Sequence, residues 1–277
     1  MLEPSALLKD KVAIVTGGGG GIGKGISLAF AAHGASVVVA ERDTDRAHET
    51  VAEIRGTGAR AIASVVDVQE KDQVEEMART AFGEFEHVDI LVNNVGDFLN
   101  LRKEFVNSME EEWEALYRIN LKHVFICCKI ITPKMMERGA GGSIINISTV
   151  EAFRAIPNLA VYSAFKGAIT QFTKSFAMEL ARHRIRVNAI APDATQTIQV
   201  DYDKWIPPEH RHMIPTWVPL GRFGTPEDIA GIALFLASEL SRFVTGTTVH
   251  ADGGTLAAGG WYRTDRERGW TNRPLRP

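Results

Sequence analysis

Short, almost wholly apolar runs alternate along this chain with stretches that have helical periodicity, and this alternation restricts the fold most. KVAIVTGG is the first run, and ASVVVAER, VDILVNNVG, GSIINIST and IRVNAIAPD follow it. A strand that is apolar on both faces is buried on both, as in a parallel sheet covered by helices. The sequence therefore predicts an α/β fold, a doubly wound parallel sheet with helices on both faces.

The intervening segments agree with this prediction. Further strands are predicted in ARAIASVVDV and GTTVHADGG, and helices at 22–33, 47–56, 72–82, 110–137, 162–183 and 226–238. The 277 residues contain no repeat and no low-complexity linker, which favours a single domain over residues 1–260. Residues 261–277 are expected to form a disordered tail or an arm against a neighbouring subunit, and their two tryptophans favour the arm.

Charge, hydropathy and cysteine content exclude several classes of protein. The net charge of −3 gives no reason to expect a nucleic-acid partner. No apolar run reaches the ~18 residues of a membrane span, and the N-terminus lacks a secretory signal, so we expect a cytoplasmic protein. Cys127 and Cys128 are adjacent in a predicted helix, where neighbouring side chains diverge. We therefore expect buried packing there and no metal site.

The segment TGGGGGIG joins the first predicted strand to the first predicted helix. Gly17, Gly21 and Gly23 lie in this turn, and Ile22 begins the helix. Glycine lets a pyrophosphate approach the backbone, and a helix N-terminus offers free N–H groups to phosphates. Within a first βαβ unit, the segment predicts a dinucleotide site on a Rossmann-like sheet.

Glu41, eighteen residues after Gly23, ends the second predicted strand. A carboxylate there can accept hydrogen bonds from the adenosine ribose, and it repels a 2′-phosphate. The sequence thus favours NAD over NADP. Arg42 supports the alternative, because an arginine at this place can pair with a 2′-phosphate.

Tyr162 and Lys166 lie four residues apart in VYSAFKGAIT. On a helix this spacing places both side chains on one face, where hydroxyl and ammonium can approach each other. A packed tyrosine beside a lysine that extends to solvent would give the same pattern. The pair alone therefore does not decide between catalysis and packing.

Several motifs, taken in order, resemble the classical short-chain dehydrogenases/reductases. They are TGGGGGIG, NNVG, Asn120 in YRINLKHVF, SIINIST and YSAFK, with RVNAIAPDATQT, PLGRFGTPEDIA and HADGG further on, so that the resemblance runs from Lys11 to about Gly254. It implies an NAD-dependent alcohol dehydrogenase or ketone reductase. Such an enzyme transfers hydride between nicotinamide and a secondary alcohol or ketone.

The resemblance also implies four catalytic residues. Tyr162 is the expected general acid/base, and Lys166 is expected to bind the nicotinamide ribose and to lower the tyrosine's pKa from about 10 by a unit or more. Asn120 is expected to hold a water behind the lysine. Thr149, thirteen residues before the tyrosine, takes the place of the family's usual serine. Ser148 remains the alternative, because neighbouring strand residues point to opposite faces.

The implied cofactor contacts extend along most of the chain. Asp67 resembles the residue that reads the adenine amino group, although a helix N-cap is an alternative role. Val95 and Asp193 depart from the family's usual alanine and glycine. The predicted cofactor-binding set is Gly17, Gly21, Ile22, Gly23, Glu41, Arg42, Asp67, Val68, Asn93, Asn94, Gly96, Tyr162, Lys166, Pro192 and Thr197.

The substrate is the least constrained part of the prediction. Residues 198–220 fall where the family has a mobile lid, and their tryptophans and prolines indicate an apolar cover. Asp97, Glu151, Phe153 and Trp205 are the predicted substrate-pocket residues. The partner is therefore expected to be a small-molecule alcohol or ketone of unidentified structure.

Two other functions stay open, and assembly adds a further expectation. An NADPH-dependent 3-oxoacyl-type reductase would use Arg42, and a non-catalytic dinucleotide-sensing protein could share the fold. Retention of all four catalytic residues argues against a sensor. The predicted helices at 110–137 and 162–183 carry more apolar surface than one sheet face can bury. The resemblance implies that they pair across a two-fold axis, giving a homotetramer.

Overall fold

A parallel sheet of seven strands lies at the centre of the protein, and a computed structural model describes residues 6–264 and 269–272. The strands are β1 (Val12–Thr16), β2 (Ser36–Glu41), β3 (Ala61–Val65), β4 (Ile90–Asn93), β5 (Gly142–Ile147), β6 (Ile185–Pro192) and β7 (Thr248–Ala251). Their order across the sheet is β3-β2-β1-β4-β5-β6-β7. The order reverses between β1 and β4, and ligands of doubly wound sheets bind at such a switch point. The predicted fold class is confirmed.

Helices cover both faces of this sheet. The long ones are α1 (Gly21–Ala32), α2 (Thr44–Gly56), α3 (Lys71–Phe85), α4 (Glu110–Tyr117), α5 (His123–Arg138), α6 (Ala160–Leu180) and α9 (Pro226–Ala237). The short ones are α7 (Tyr202–Trp205), α8 (Ile214–Trp217) and α10 (Thr255–Ala258). The predicted helix bounds agree with the observed ones to within a few residues, except at 110–137.

Two apolar cores separate the helices from the sheet, because the strands are apolar on both faces. One core joins α3, α5 and α6 to the sheet through residues such as Ile131 and Ile169. The other core joins α1, α2 and α9 to the opposite face through residues such as Phe30 and Leu236. Each of these fully buried side chains contributes about 1.5–3 kcal/mol to stability. The cores therefore fix the strands, whose carboxyl ends all lie at one edge of the sheet.

The segment predicted as a helix over 110–137 is helical throughout, from Glu110 to Arg138, but it is not regular. A π-helical turn, Arg118–Lys122, separates α4 from α5. Asn120 lies in this turn, and its side-chain Nδ2 donates to the Leu116 carbonyl at 3.0 Å. In a regular helix that carbonyl would accept from the residue-120 amide. The asparagine side chain thus satisfies a carbonyl in the interrupted segment, and such interruptions are frequent at functional sites.

The segment after β6 folds into the short helices α7 and α8, joined by a 3₁₀ turn over Pro208–Met213. Tyr202 is the centre of its aromatic cluster: the ring stacks on Phe223 with centroids 4.2 Å apart, and Trp205 and Trp217 meet it edge-on. We call residues 198–220 the lid. Its aromatic side chains pack on one another and on Phe223, which follows the lid.

Beyond α10 the chain forms a small antiparallel ribbon, β8 (Tyr262–Arg263) with β9 (Trp270–Thr271), and β8 lies against α8. This ribbon was not predicted, because two-residue strands leave no alternation to read in a sequence. The remainder of the predicted arm, residues 265–268 and 273–277, lies outside the described residues.

Candidate active site

One cleft lies over the carboxyl ends of β1, β4, β5 and β6, at the switch point of the sheet. Its cavity volume is ≈ 510 Å³. The glycine-rich turn forms one end, the lid covers the other, and α6 provides the floor between them. The predicted site residues that line it are Gly17, Gly21, Ile22, Glu41, Arg42, Asp67, Val68, Asn94, Gly96, Asp97, Thr149, Glu151, Tyr162, Lys166, Pro192, Thr197 and Trp205.

The glycine-rich turn has no room for side chains. A Cβ on Gly23 would lie 2.0 Å from the Gly17 carbonyl oxygen, and Gly17 itself has a φ of +61°. Asn94 holds the turn through its Nδ2, which donates to the carbonyl of Thr16 at 3.0 Å. The turn therefore presents bare backbone and the N-terminus of α1 to the cleft. This arrangement fits the pyrophosphate of a dinucleotide.

Glu41 closes the cleft at the end of β2. Its carboxylate accepts hydrogen bonds from the backbone N–H groups of Gly19 at 3.3 Å, Arg42 at 2.9 Å and Asp43 at 3.2 Å. These bonds fix the carboxylate between the glycine-rich turn and α2, where an adenosine ribose would bind. Arg42 and Arg46 line the same end of the cleft, and Arg46 also pairs with Asp43 at 3.6 Å.

Asp67 and Val68 follow β3 and line the adenosine end. The Asp67 carboxylate accepts from the backbone N–H of Gln69 at 3.0 Å, which makes a local turn. Helix α3 is preceded by Glu70, so Asp67 is not its N-cap. The alternative structural role considered for Asp67 is therefore wrong.

Tyr162 and Lys166 lie one turn apart on α6, both facing the cleft, as their spacing predicts. The Lys166 Nζ lies 5.9 Å from the centroid of the tyrosine ring and donates to the Ile147 carbonyl at 3.2 Å. Burial lowers the pKa of Lys166 to about 8, although Asp97 opposes this effect. The ammonium is thus held at the end of β5, beside the phenol.

The expectation that the lysine lowers the pKa of Tyr162 is wrong for the protein without a bound cofactor. Burial raises the pKa of the tyrosine, and the carboxylates of Glu151 and Asp97 raise it further. The ammonium does not offset these effects, because its hydrogen bond goes to a backbone carbonyl rather than to the phenol oxygen. At neutral pH the phenol is therefore protonated.

Asn120 fixes the loop that follows β4. Its Oδ1 accepts from the Asp97 N–H at 3.1 Å, and its Nδ2 donates to the Asp97 carbonyl at 2.7 Å. A Cβ on Gly96 would lie 2.5 Å from Lys166 Nζ and 3.1 Å from Asn120 Oδ1. The glycine thus lets the lysine and the asparagine converge behind the phenol. The predicted water at this point stays a prediction.

The two candidate hydroxyls have different surroundings. Ser148 Oγ donates to the Lys166 carbonyl at 3.0 Å and is buried, so it fastens the end of β5 to α6. Thr149 Oγ1 donates to the Pro192 carbonyl at 3.2 Å, and both residues line the cleft. The assignment of the substrate-orienting role to Thr149 is consistent with this geometry. The threonine must turn from Pro192 before it can donate to a substrate oxygen.

Three predicted site residues do not line the cleft: Gly23, which packs against Gly17, Asn93 and Phe153. Asn93 is buried in the sheet, where its Nδ2 donates to Asn146 Oδ1 at 2.8 Å, so its side chain cannot reach a cofactor in the cleft. Phe153 is absent from the residues that line the cleft, and its ring packs edge-on against His250. Strand and loop positions in the sequence do not show which way such side chains turn.

Several cleft residues were not predicted, among them Tyr202, Arg46 and Arg102. A signal was present for Arg46, since a basic side chain in the first turn of α2 opposes the helix dipole and indicates another role. Tyr202 carried no signal beyond its place in the lid. Asp193 was noted only as a departure from the family pattern, yet it lines the cleft and pairs with Arg154 at 2.8 Å.

Comparisons with known proteins agree with this geometry. The profile of a family described as enoyl-(acyl carrier protein) reductase matches residues 17–255. The 3-oxoacyl-[acyl-carrier-protein] reductase FabG of Thermotoga maritima is 36% identical over 249 residues, which cover 90% of this chain and 99% of that protein. The chain belongs to the short-chain dehydrogenase/reductase family. It is an oxidoreductase that acts on CH–OH groups.

Relatives of this oxidoreductase have varied substrates. Galactitol 2-dehydrogenase of Agrobacterium fabrum is 38% identical over 256 residues, covering 89% of this chain and 98% of that protein. A solved 7α-hydroxysteroid dehydrogenase, complexed with NADH and 7-oxoglycochenodeoxycholic acid, superposes with a TM-score of 0.84 at 35% identity. The superposition includes 92% of this chain and 98% of the dehydrogenase chain. The family is therefore certain, whereas the substrate is not fixed by similarity.

The described residues contain no group of three or more histidine, cysteine or acidic side chains that could hold a metal ion. Over the same residues, no helix is both long and apolar enough to cross a membrane.

Proposed function

We propose that the protein is an NAD-dependent dehydrogenase/reductase that interconverts a secondary alcohol and a ketone. The observation that carries this proposal is the convergence of Tyr162, Lys166 and Thr149 on one cleft, beside a glycine-rich turn that fits a pyrophosphate. Bound NAD would supply the hydride acceptor, and NADH the donor. The solved relative with NADH and an oxo-steroid supports both the cofactor and the reaction type.

The side chains have separate tasks in this proposal. Tyr162, protonated at neutral pH, donates its proton to the carbonyl oxygen during reduction and takes the proton back during oxidation. Thr149 orients the same oxygen once its hydroxyl leaves the Pro192 carbonyl. Lys166 holds the nicotinamide ribose and places positive charge beside the phenol. Because its pKa is raised, the phenol is in the protonated form that reduction requires, and it must lose that proton before it can act as the base in oxidation.

The preference for NAD rests on Glu41. Its carboxylate is held by three backbone N–H groups at the adenosine end, so a 2′-phosphate would meet a fixed negative charge. The alternative is an NADPH-dependent 3-oxoacyl reductase. Arg42 and Arg46, which line the same end, favour this second candidate, as does the similarity to the Thermotoga maritima reductase.

A screen of diverse alcohols and ketones with NAD(H) and NADP(H), followed at the absorbance of the reduced nicotinamide, tests the proposal. We expect turnover with NAD(H). Tyr162→Phe should reduce the rate about 10²–10⁴-fold, the contribution of general acid–base catalysis, and leave cofactor binding nearly unchanged. Tyr262→Phe, at an exposed tyrosine of β8, is the matched control. Full activity of a folded Tyr162→Phe protein would overturn the mechanism.

A non-catalytic dinucleotide-sensing protein is the alternative outcome of the same screen. It would bind NAD(H) in a fluorescence titration and turn over no compound. The cytoplasmic location and the absence of nucleic-acid and membrane partners stay predictions from the sequence.

A further inference from the structure

Arg154 bridges two carboxylates in the substrate end of the cleft. Its Nη2 donates to Glu151 Oε1 at 2.9 Å and to Asp193 Oδ2 at 2.8 Å, and its Nε donates to Glu151 Oε2 at 3.4 Å. The side chains are largely buried, with exposed fractions of 29% for Arg154, 13% for Glu151 and 9% for Asp193. An arginine shared by two acceptors in this way fixes geometry as well as charge.

The bridge spans the gap between two segments that carry catalytic groups. Glu151 follows Thr149 in the loop after β5, and Asp193 follows Pro192 at the end of β6. The bond from Thr149 Oγ1 to the Pro192 carbonyl spans the same gap. Thr255 Oγ1, at the start of α10, also donates to Asp193 Oδ2 and anchors it from a third segment. Arg154 therefore sets where the Glu151 carboxylate stands relative to the reacting atoms.

The bridge leaves acceptors facing the cleft. Glu151 and Asp193 line it, whereas Arg154 does not, so the wall presents carboxylate oxygens with their cation behind them. The electrostatics agree with this arrangement. Burial raises the pKa of Tyr202, which faces the same space, to about 12, with Asp193 and Glu151 as the next causes. Arg154 and Arg102, the second of which also lines the cleft, oppose this effect. The Glu151 carboxylate as an acceptor, rather than the net charge of the cleft, therefore favours a hydrogen-bond donor beside it.

We propose that Glu151 determines specificity by accepting a hydrogen bond from a second hydroxyl of the substrate, next to the reacting carbon, and that Arg154 is its positioning residue. The substrate class is then an uncharged hydroxyketone or the corresponding diol. This inference rests on the proposed function, because it assumes that Tyr162 marks the reacting carbon. A buried polar group built for a hydroxyl discriminates strongly against an analogue without one.

Three ring ketones of similar shape test this inference in the full-length protein: 2-hydroxycyclohexanone, cyclohexanone and 3-oxocyclohexane-1-carboxylate. With the preferred reduced cofactor, we expect kcat/KM for the hydroxyketone to exceed that for cyclohexanone at least tenfold. The carboxylate should be the poorest of the three substrates. The first two compounds isolate the neighbouring hydroxyl, since ring and carbonyl are common to both, and the third, whose carboxylate is one ring carbon further from the carbonyl, tests the effect of a negative charge.

Variants separate specificity from a merely structural role. Glu151→Gln and Arg154→Gln should each raise KM for 2-hydroxycyclohexanone about tenfold and lower the ratio of its kcat/KM to that of cyclohexanone by a similar factor. Arg154→Lys should restore part of the preference, because it keeps the charge but cannot reach both carboxylates with one planar group. Glu76→Gln and Arg79→Gln are matched controls, since these residues form an exposed pair with the same three-residue spacing on α3.

The outcomes of these assays are distinguishable. Equal kcat/KM for the hydroxyketone and cyclohexanone in the wild type would overturn the inference and leave the dehydrogenase proposal intact. Equal losses for both ketones in Arg154→Gln would show a structural bridge only, which also overturns it. If the enzyme reduces neither ketone, the inference is overturned as well. The dehydrogenase proposal is then tested separately by the wider screen of alcohols and ketones.

Discussion

At the scale of single residues, the site contains two titratable side chains whose pKa values shift in opposite directions. Burial disfavours the charged forms of both Lys166 and Tyr162, so the lysine loses its proton more easily and the phenol keeps its proton more strongly. The lysine nevertheless stays largely charged at pH 7, since its pKa is about 8. A buried charge of this kind costs stability, and function rather than folding explains its presence.

Lys166→Met tests this cost. The pKa of the lysine falls from 10.5 to about 8 on folding, so the unfolded chain binds the proton more tightly. The cost is therefore fully present below pH 8, and it disappears as the pH rises through 8 towards 10.5. We expect the variant to gain about 1–3 kcal/mol in the free energy of unfolding at pH 7 and to lose activity.

Urea unfolding at pH 7 and at pH 10 measures this gain. The advantage of the variant should shrink at pH 10, where the wild-type lysine is neutral in the folded state. Lys174→Met, at an exposed lysine of the same helix, is the control and should show no such pH dependence. A Lys166→Met variant less stable than wild type at both pH values would contradict the argument.

Glu41 leads to a second prediction at this scale. Glu41→Ser removes the negative charge that a 2′-phosphate would meet and leaves Arg42 and Arg46 to pair with it. Like charges juxtaposed at a recognition site cost several kcal/mol. We therefore expect NAD(H) to bind the wild type more tightly than NADP(H), and the serine variant to narrow the gap at least tenfold.

Fluorescence titration with both reduced cofactors measures this difference. Glu53→Ser, at an exposed glutamate of α2, is the matched control. A wild type that prefers NADPH would show that the two arginines outweigh the carboxylate.

Some of the site residues could be predicted from the sequence, for physical reasons. A four-residue spacing places Tyr162 and Lys166 on one helix face. The glycines of the first turn could also form a plain turn, and their place in a first βαβ unit is what favours a nucleotide site. The direction in which the pKa of Tyr162 shifts could not be predicted from the sequence, because it depends on burial and on the charges of Glu151 and Asp97. The burial of Asn93 depends in the same way on a partner, Asn146, fifty-three residues away.

At the scale of elements, the π-helical turn between α4 and α5 connects the fold to the site. Asn120 joins the Leu116 carbonyl to both backbone groups of Asp97, and so ties the helix to the loop after β4. Apolar periodicity predicted α4 and α5 as one helix, since the pattern on either side continues through the interruption. The strands could be predicted from the sequence, because short runs that are apolar on both faces fit a sheet buried between two layers of helices.

Asn120→Ala should remove these three hydrogen bonds and leave buried backbone groups without partners. We expect a loss of about 1–3 kcal/mol in the free energy of unfolding, the cost of unsatisfied buried polar groups. Activity should fall as well, because the Asp97 loop, which lines the cleft, loses its support. Urea unfolding and initial rates measure both effects. Unchanged stability would mean that the side chain does not maintain the π-helical turn.

At the scale of the whole molecule, part of the apolar surface predicted on α5 and α6 is buried internally and part is not. Val124, Ile131 and Leu180 lie in the core. Phe125 and Met178 are exposed, by 37% and 64% of their surfaces. Phe125 meets Phe172 edge-on with ring centroids 4.9 Å apart, and Phe176 stacks on Phe172 at 5.0 Å. The three rings form a partly exposed aromatic row, and β7 is an edge strand of the sheet within the described residues.

We predict that these two surfaces assemble the chain into a homotetramer. The aromatic row would pair α5 and α6 with their copies across one two-fold axis. The β7 edge and the C-terminal ribbon would form the contact across a second axis. Phe172→Glu places a charge in the first contact and should give dimers in sedimentation velocity, whereas Val106→Glu, at an exposed valine of the loop before α4, should leave the wild-type state. A chain that ends at Gly260 lacks the ribbon, so its tetramer should be weaker and should dissociate at a higher protein concentration than that of the full chain. Since burial of the aromatic row removes apolar surface from water, the Phe172→Glu protein should also unfold at lower temperature. A full-length protein that sediments as a monomer at micromolar concentration would refute both contacts at once.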